Sequence, residues 1–339
     1  MIVQAIGMLV QRKSLSPEQA REAMTEIMEG GTLPSQIGAF LTALRMKGET
    51  VEEITAFAAV MRDKVRRIES TVHAELLDTC GTGGDRSGSF NISTAAAFVA
   101  AGAGVPVAKH GNRSVSSRCG SADVLKELGV NIEADPDTVL RCLDEAGICF
   151  IFAPLFHPAM KHAIGPRREI AMRTVFNILG PLTNPAGARC QLLGVYAEEL
   201  AVKLAGVLSA LGSRKAYVVH GHGGLDEISL SGPTSVAELE NGRVRNFTLK
   251  PEDFDIEPRP PEAVRGGDTA ENARIMTEVL GGAPGAYRDA ALLNAGAAIS
   301  AYHDSMPIEE GVKLAADSID SGRAGEKLSL LARLSNSAA

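Results

Sequence analysis

The chain has 339 residues, of which 45% are hydrophobic and 22% charged, and its formal net charge is −7. This composition excludes an intrinsically disordered chain, and the length suffices for about two domains with cores of their own. The 41 acidic side chains outnumber the 34 basic ones, which argues against a dedicated nucleic-acid binder because such proteins usually carry a basic excess. Small anionic ligands are not excluded, since binding them needs only local positive charge.

The start of the sequence and the cysteines predict a cytoplasmic location. Residues 1–20 carry charged and amide side chains where a signal peptide needs an apolar core. The longest nearly apolar run, 95–108, contains two glycines and a proline and is too short to cross a membrane. We therefore expect no membrane partner. The five cysteines form no CxxC pair, which favours free thiols in a reducing compartment over a zinc site.

The first 69 residues are predicted to form a small all-helical domain. A capping box at 16–19, with proline at the first helical position, opens a helix that Gly30 and Gly31 end. A second capping box at 50–53 opens a helix that continues to about Val65, with apolar residues spaced for one face. No alternating strand pattern occurs here.

After Ser70, short apolar runs alternate with amphipathic helical patterns, which predicts a mostly parallel sheet flanked by helices. Asn241-Gly242 predicts a β-hairpin, and helices follow to the end. The fold class is therefore α/β, with a small all-helical domain and a larger α/β domain whose central sheet is mostly parallel. The predicted strands are 76–78, 105–108, 148–152, 192–196 and 216–220. The helical domain is 1–69, joined by a returning helical segment at about 160–187, and the α/β domain is 70–159 with 188–339.

A glycine-rich segment at 80–85 follows the first predicted strand and precedes a predicted helix at 91–104. Glycine lets backbone N–H groups approach a ligand closely, and a helix N-terminus carries partial positive charge. Ser93 and Thr94 stand near that helix start, where their hydroxyls can cap the helix or reach an anion. The segment matches neither GxGxxG nor a Walker-type loop, so a dehydrogenase or P-loop NTPase loses its main support. A tight turn and an anion-binding loop both remain open.

A basic segment, 109–118, follows the second predicted strand and precedes a helix that begins near Ser121. No acidic residue occurs between Asp85 and Asp123. An exposed loop is the plain alternative, but solvated surface normally mixes both signs of charge. A second strand–loop–helix unit with this charge favours anion binding at the carboxyl ends of the strands.

A third glycine-rich segment, 220–227, ends in Asp226 and Glu227. Adjacent carboxylates suit Mg²⁺, which prefers oxygen ligands and often bridges phosphates. The histidines of this segment lack further spaced ligands for zinc. Mere solvent contact is the alternative for the two acids.

A fourth segment, 157–185, is basic between Lys161 and Arg173 and then rich in Pro and Gly. An arginine here could hold a planar carboxylate through two hydrogen bonds, although arginines on a helix surface are the plain alternative. No sequence feature singles out a covalent nucleophile.

The order and spacing of these segments resemble the anthranilate phosphoribosyltransferases, which belong to a class of nucleoside phosphorylases and phosphoribosyltransferases with an N-terminal helical domain. Gly223 is a small departure, because many relatives carry an acid there, but Asp226 and Glu227 are present. The resemblance covers essentially the whole chain, and the segments that carry it are 81–85, 91–94, 109–113, 120–125, 173–185 and 225–227.

The resemblance implies transfer of phosphoribose from 5-phosphoribosyl diphosphate (PRPP) to anthranilate in tryptophan biosynthesis, with Mg²⁺, two ions per PRPP, and a homodimer formed through the helical domain. The substrate amine is then the nucleophile, with electrostatic support from Lys109. Implied for PRPP are Gly81, Gly84, Asp85, Ser89, Asn91, Ile92, Ser93, Thr94, Lys109, His110, Gly111, Asn112, Arg113, Ser114, Val115, Ser116, Ser117 and Ser121. Implied for anthranilate are Gly81, Asn112, His157, Arg167 and Pro181, and for the metal Ser93, Asp226 and Glu227.

Two alternatives differ in function. A pyrimidine nucleoside phosphorylase shares the fold that the resemblance implies, but it would bind phosphate and a nucleoside and would have no reason to keep Asp226-Glu227 or segment 177–185. Some relatives of the family bind nucleic acid instead of catalysing transfer, and the net charge of −7 argues against that.

Overall fold

The computed structural model describes residues 1–113 and 118–337. Both capping boxes are confirmed: Ser16 Oγ accepts the Gln19 N–H, and Thr50 Oγ1 accepts the Glu53 N–H. These caps satisfy backbone donors that the first helical turn leaves free, so the helix starts are set locally. The N-terminal helices are α1 (Ile2–Val10), α2 (Pro17–Met28), α3 (Pro34–Lys47) and α4 (Val51–Asp63).

The remaining chain forms one seven-stranded sheet with helices on both faces. The strands are β1 (Leu77–Gly81), β2 (Val107–Gly111), β3 (Ile148–Phe152), β4 (Cys190–Gly194), β5 (Lys215–His220), β6 (Thr234–Glu240) and β7 (Arg243–Leu249). The helices are α5 (Ile92–Gly102), α6 (Ser121–Glu127), α7 (Pro136–Ala146), α8 (Ala153–Phe156), α9 (Lys161–Ile170), α10 (Phe176–Leu179), α11 (Glu199–Ala210), α12 (Thr269–Leu280), α13 (Ala286–Tyr302), α14 (Ile308–Asp320) and α15 (Arg323–Ser335).

The strand order is β3-β2-β1-β4-β5-β6-β7. The pairs from β3 through β5 are parallel, whereas β6 and β7 join antiparallel. Asn241 and Gly242 have φ values of 50° and 76° between β6 and β7, the left-handed backbone that a two-residue hairpin requires. The α/β fold class, the mostly parallel sheet and the hairpin are thus confirmed.

The carboxyl ends of three strands differ from the sequence prediction. Cys80 and Gly81 pair with β4, so β1 continues into the predicted glycine loop. Lys109 to Gly111 pair with β3, so the first three residues of the predicted basic loop are also strand. The strand at 192–196 ends at Gly194 instead, and the Tyr196 N–H donates to Thr82 Oγ1. Hydrophobicity placed the ends of β1 and β2 too early, because backbone pairing continues past the apolar run, and it placed the end of β4 too late, because apolar residues follow Gly194.

The two faces of the sheet have separate hydrophobic cores. Helices α5 and α12–α15 pack on one face, around the almost entirely buried helix α13. On the other face, α11 packs against β5 and β6, and its core continues into the N-terminal helices through α4. The N-terminal helices therefore lie on the same side of the sheet, packed beyond α11. Among the described residues, no helix is long and apolar enough to cross a membrane.

Candidate active site

The carboxyl ends of β1 and β4 lie side by side where the chain connections diverge to opposite sides of the sheet. Open parallel sheets bind ligands in the crevice at such a switch point. Gly81 and Gly194 are paired at these ends. A β-carbon on Gly194 would lie 1.6 Å from the Asp226 backbone oxygen, and one on Gly81 would lie 2.7 Å from Asp226 Oδ2. The two glycines thus admit Asp226 to the crevice.

Three carboxylates meet at this point: Asp85, Asp226 and Glu227. Asp226 Oδ2 accepts the Gly83 N–H at 2.9 Å, and Glu227 Oε1 accepts the Ser93 N–H at 3.1 Å. Burial, assisted by the nearby Asp85 charge, raises the pKa of Asp226 to about 7. Burial, with the Asp226 charge beside it, raises the pKa of Glu227 to about 8. The raised pKa values mean that the negative charges of these carboxylates are not balanced by nearby positive charge.

This arrangement fits a hard divalent cation. The buried Asp85 Oδ2 has no hydrogen-bond partner among the described residues. Within 1–113 and 118–337, no group of three or more His, Cys, Asp or Glu residues forms a ready-made metal cage. Mg²⁺ is usually bound by only one or two carboxylates, with substrate phosphates and water completing its octahedral shell. Asp226 and Glu227, with the adjacent Ser93, supply such a partial set.

Lys109 is a buried cation beside the acids. Its Nζ donates to the Thr79 carbonyl oxygen at 2.5 Å and lies 3.5 Å from Ser93 Oγ. Burial lowers the pKa of Lys109, and the charges of Asp78, Cys80 and Glu227 oppose that change. The strand position holds the ammonium group beside the first turn of α5.

The first turn of α5 presents polar groups to the same crevice. Ser93 and Thr94 lie in this turn, and the buried Thr94 Oγ1 has no partner among the described residues. Asn91, the N-cap residue, donates from Nδ2 to the Cys119 carbonyl oxygen at 3.2 Å. Asn272 of α12 donates to Asn91 Oδ1 at 3.1 Å. The sequence analysis did not identify Asn272, because this residue stands about 180 positions from Asn91 in a helix with no unusual pattern.

The predicted basic loop is only partly an open cationic surface. Asn112 is exposed, and its carbonyl oxygen accepts the Ser121 hydroxyl at 3.3 Å. The Arg113 guanidinium contacts Asp123 and Glu133 at 3.5 and 3.7 Å, so in this state it faces acids. Ser114, Val115, Ser116 and Ser117 lie outside the described residues. Ser89 pairs with Arg265 through an isolated β-bridge at the outer end of the glycine loop.

A buried polar network lies beneath the site. Asp78 Oδ1 accepts the His110 N–H at 3.1 Å, and its Oδ2 accepts Asn184 Nδ2–H at 2.8 Å. Asn184 also donates to the Ala108 carbonyl oxygen at 2.8 Å. Burial raises the pKa of Asp78 to about 6. Asp78 and Asn184 were not predicted as site residues, since each looks unremarkable within an apolar run or a turn.

Two buried histidines join this network. His157 Nε2 lies 3.1 Å from His110 Nε2, so one nitrogen donates and the other accepts. Burial and the neighbouring His157 lower the pKa of His110 to about 3, and burial lowers that of His157 to about 4. Both imidazoles are therefore neutral at physiological pH.

The returning segment supplies Arg167 and Pro181. Arg167 lies on α9 with its guanidinium 5.1 Å from the centre of the Phe176 ring. Within the described residues, no acidic side chain forms an ion pair with it. Burial lowers its pKa. The Pro181 carbonyl oxygen accepts Gln191 Nε2–H at 2.7 Å, which ties this segment to β4.

The combination of a helical bundle with an α/β sheet matches a known class of glycosyl transferases. The helical bundle domain of the glycosyl transferase family matches residues 3–65, and the α/β domain of that family matches residues 73–325.

Individual relatives identify one family within this class. An anthranilate phosphoribosyltransferase from Pelotomaculum thermopropionicum is 57% identical over 97% of this chain and 95% of the relative. The crystal structure of the Thermus thermophilus anthranilate phosphoribosyltransferase is 41% identical with a TM-score of 0.92, covering 98% of this chain and 99% of that one. The Saccharomyces cerevisiae enzyme in complex with PRPP and Mg is 30% identical with a TM-score of 0.90, and the match covers 99% of this chain and 98% of that one. The chain belongs to the anthranilate phosphoribosyltransferase family, as the sequence motifs predicted.

The histidine pair predicts acid sensitivity. The folded state keeps both imidazoles neutral, whereas the unfolded chain protonates them below about pH 6.5. Stability is therefore lost as pH falls from about 6.5 toward 4. His157→Gln retains an amide toward His110 and removes one of the two protonations, so its loss between pH 6 and 4.5 should be smaller by about 1.4 kcal/mol per pH unit. Urea unfolding at each pH measures this, and equal slopes in both proteins would contradict it.

Proposed function

We propose that this chain transfers the 5-phosphoribosyl group of PRPP to the amine of anthranilate, giving N-(5-phosphoribosyl)anthranilate and diphosphate, a step of tryptophan biosynthesis. The observation that carries the proposal is an anion site beside a cation site at one switch-point crevice. Lys109, glycine-loop amides and the first turn of α5 suit phosphate oxygens. Asp226 and Glu227 suit Mg²⁺. The names of the relatives support the same pair of substrates.

The proposed PRPP contacts follow the geometry of the crevice. Gly81, Gly84 and Asp85 lie at the end of β1, and Lys109 and Ser93 meet across from them. Arg113 would exchange its contacts with Asp123 and Glu133 for the ligand. The other proposed contacts are Ser89, Asn91, Ile92, Thr94, His110, Gly111, Asn112, Ser121 and, outside the described residues, Ser114 to Ser117.

The reaction needs little covalent help from the protein. The lone pair of the anthranilate amine forms the N–C1 bond, the C1–O bond to diphosphate breaks, and the amine loses one proton. Positive charge grows on the ribose ring as diphosphate leaves, so cations and amide dipoles around that anion stabilise the transition state. Lys109 is the buried side chain placed for this. When bound, Mg²⁺ neutralises diphosphate oxygens, and we propose two ions, held through Ser93, Asp226 and Glu227.

Anthranilate binding is proposed for the opposite side of the crevice. Arg167 pairs with its carboxylate, and Gly81, Asn112, His157 and Pro181 complete the pocket. The neutral His157 and His110 avoid placing a positive charge beside the amine. Close placement of both substrates supplies much of the remaining rate enhancement.

The activity is tested by mixing the protein with anthranilate, PRPP and Mg²⁺ and following the loss of anthranilate fluorescence. Activity with phosphate and a pyrimidine nucleoside instead would favour the phosphorylase alternative. A gel shift without sequence preference, in the absence of transfer, would favour the nucleic-acid alternative.

We place the protein in the cytoplasm and divide it at residues 69/70, with 160–187 returning to the helical side. The five cysteines are buried and free of disulfides, which is consistent with a reducing compartment.

The helical domain also supports the proposed homodimer. Val10 and Met46 are 69% and 72% exposed, although both are large and apolar. Between them lies a groove of about 340 Å³ that Gly38 and Ala39 of α3 help to line. A second copy of this chain is the proposed occupant, because exposed apolar patches commonly mark such interfaces.

For the dimer, Val10→Glu with Met46→Glu should yield monomers, since both changes place charge in the apolar contact. Sedimentation equilibrium measures the mass. The matched control is Val202→Glu, a half-exposed apolar residue on α11, which should leave the mass unchanged. A double variant that sediments like the wild type would contradict this interface.

For the metal, Asp226→Asn with Glu227→Gln should lower turnover mainly by weakening Mg²⁺ binding, because the amides lack the negative charge. The Mg²⁺ concentration for half-maximal rate should rise at least about tenfold, as expected when charged ligands worth about 1.5–3 kcal/mol each are lost. Normal rates across the whole Mg²⁺ titration would refute the assignment.

For the acceptor, Arg167→Ala should raise the anthranilate KM far more than the PRPP KM, because the carboxylate loses its paired donors. We expect a rise of about 10- to 100-fold. Arg168→Ala, its exposed neighbour on α9, serves as the control and should change neither KM. Equal rises in both constants for Arg167→Ala would count against its role.

A further inference from the structure

Arg173 is a cation near the crevice that none of the proposed substrate contacts uses. It lies in the short stretch between α9 and α10. A β-carbon on Gly84 would lie 3.0 Å from Arg173 Nη2 and 3.5 Å from its Cζ. The guanidinium therefore lies directly against the glycine loop, at the position where Gly84 has no side chain.

The Arg173 side chain is held in this place from two directions. Its Cζ lies 3.8 Å from the centre of the Tyr196 ring, a cation–π stacking distance. The Tyr196 N–H in turn donates to Thr82 Oγ1 at 3.1 Å. Loop, ring and guanidinium thus form one connected unit, with the charge already oriented before any ligand arrives.

The backbone around Arg173 also has a defined course. Ala171 ends α9 with a left-handed φ of 48°, which turns the chain sharply before Arg173. The next residue, Thr174, is buried and donates its N–H to Asn177 Oδ1 at 2.9 Å. The position of Arg173 thus follows from a turn and a buried anchor.

No ion pair joins Arg173 to an acid within residues 1–113 and 118–337. Arg113, the arginine of the predicted basic loop, differs because Asp123 and Glu133 contact it. A guanidinium without an anion, placed against backbone amides of a glycine loop, is suited to phosphate oxygens.

We propose that Arg173 binds the diphosphate group of PRPP on the glycine-loop side of the crevice, as a residue that sets affinity for the donor substrate. This inference rests on the proposed function and adds one residue to the proposed contacts with PRPP. Arg167 lies elsewhere, over Phe176, so the two arginines serve different substrates: Arg173 the diphosphate and Arg167 the acceptor carboxylate.

The test compares Arg173→Gln and Arg173→Lys with the wild type. Glutamine can keep the contact with Tyr196 but removes the charge, and lysine restores the charge without the planar fork. Titration calorimetry with inorganic diphosphate, without Mg²⁺, should show Kd raised about 10- to 100-fold in Arg173→Gln. Lysine should recover part of this loss. The PRPP KM should rise in parallel, and the anthranilate KM should stay within about twofold.

Arg168→Ala provides the matched control and should bind diphosphate like the wild type. Unchanged diphosphate affinity in Arg173→Gln would overturn the inference, as would equal rises in both KM values, which a merely structural role produces. The calorimetry also separates the two proposals. If the wild type binds diphosphate through Arg173 but does not consume anthranilate, the proposed function fails and this assignment stands.

Discussion

The site depends on the absence of side chains at two paired strand ends. Gly81 and Gly194 lie opposite each other where β1 and β4 finish, and the segment that carries Asp226 passes directly over them. A β-carbon on Gly194 would overlap the Asp226 backbone oxygen, so any other residue there would push the acidic segment away from the sheet. The carboxylates, the glycine-loop amide of Gly83 and the first turn of α5 meet only because this approach is possible.

That close approach also explains how a chain of net charge −7 can bind anions. Glu227 is buried and Asp85 and Asp226 are half-buried beside it, and the raised pKa of Asp226 and Glu227 means that these acids favour a cation over solvent. Lys109 is buried beside them, Arg173 lies against the glycine loop, and Arg167 lies over Phe176. Separate acidic and basic groups within one crevice suit a substrate that arrives with a metal, and the summed charge of the chain conceals this.

Local chemistry decided which features could be predicted from the sequence. The capping boxes of α2 and α4 and the Asn241-Gly242 turn were predictable because neighbouring residues determine them. The motif segments were predictable because glycine, charge and order coincide. The ends of β1 and β2 were misplaced, since backbone pairing continues through Cys80 and Lys109 regardless of their polarity. Asp78 and Asn272 were missed because their partners are distant in sequence, and only folding brings those partners within hydrogen-bond distance.

Reaction of two bound substrates requires that their binding groups keep a fixed relation, and one buried hydrogen-bonded unit provides it. Many groups proposed for PRPP stand on β1, β2 and α5, whereas Arg167 and Pro181, proposed for anthranilate, stand on α9 and the 176–187 segment. Asn184 of that segment donates to Asp78 of β1 and to the Ala108 carbonyl oxygen of β2. Asp78 also accepts the His110 N–H, next to Lys109. Because buried polar groups are costly to leave unpaired, this network resists sliding of one segment past the other. In the proposed assignment, Asp78 and Asn184, which are not themselves proposed substrate contacts, thus hold the two sets of binding groups in a fixed relation.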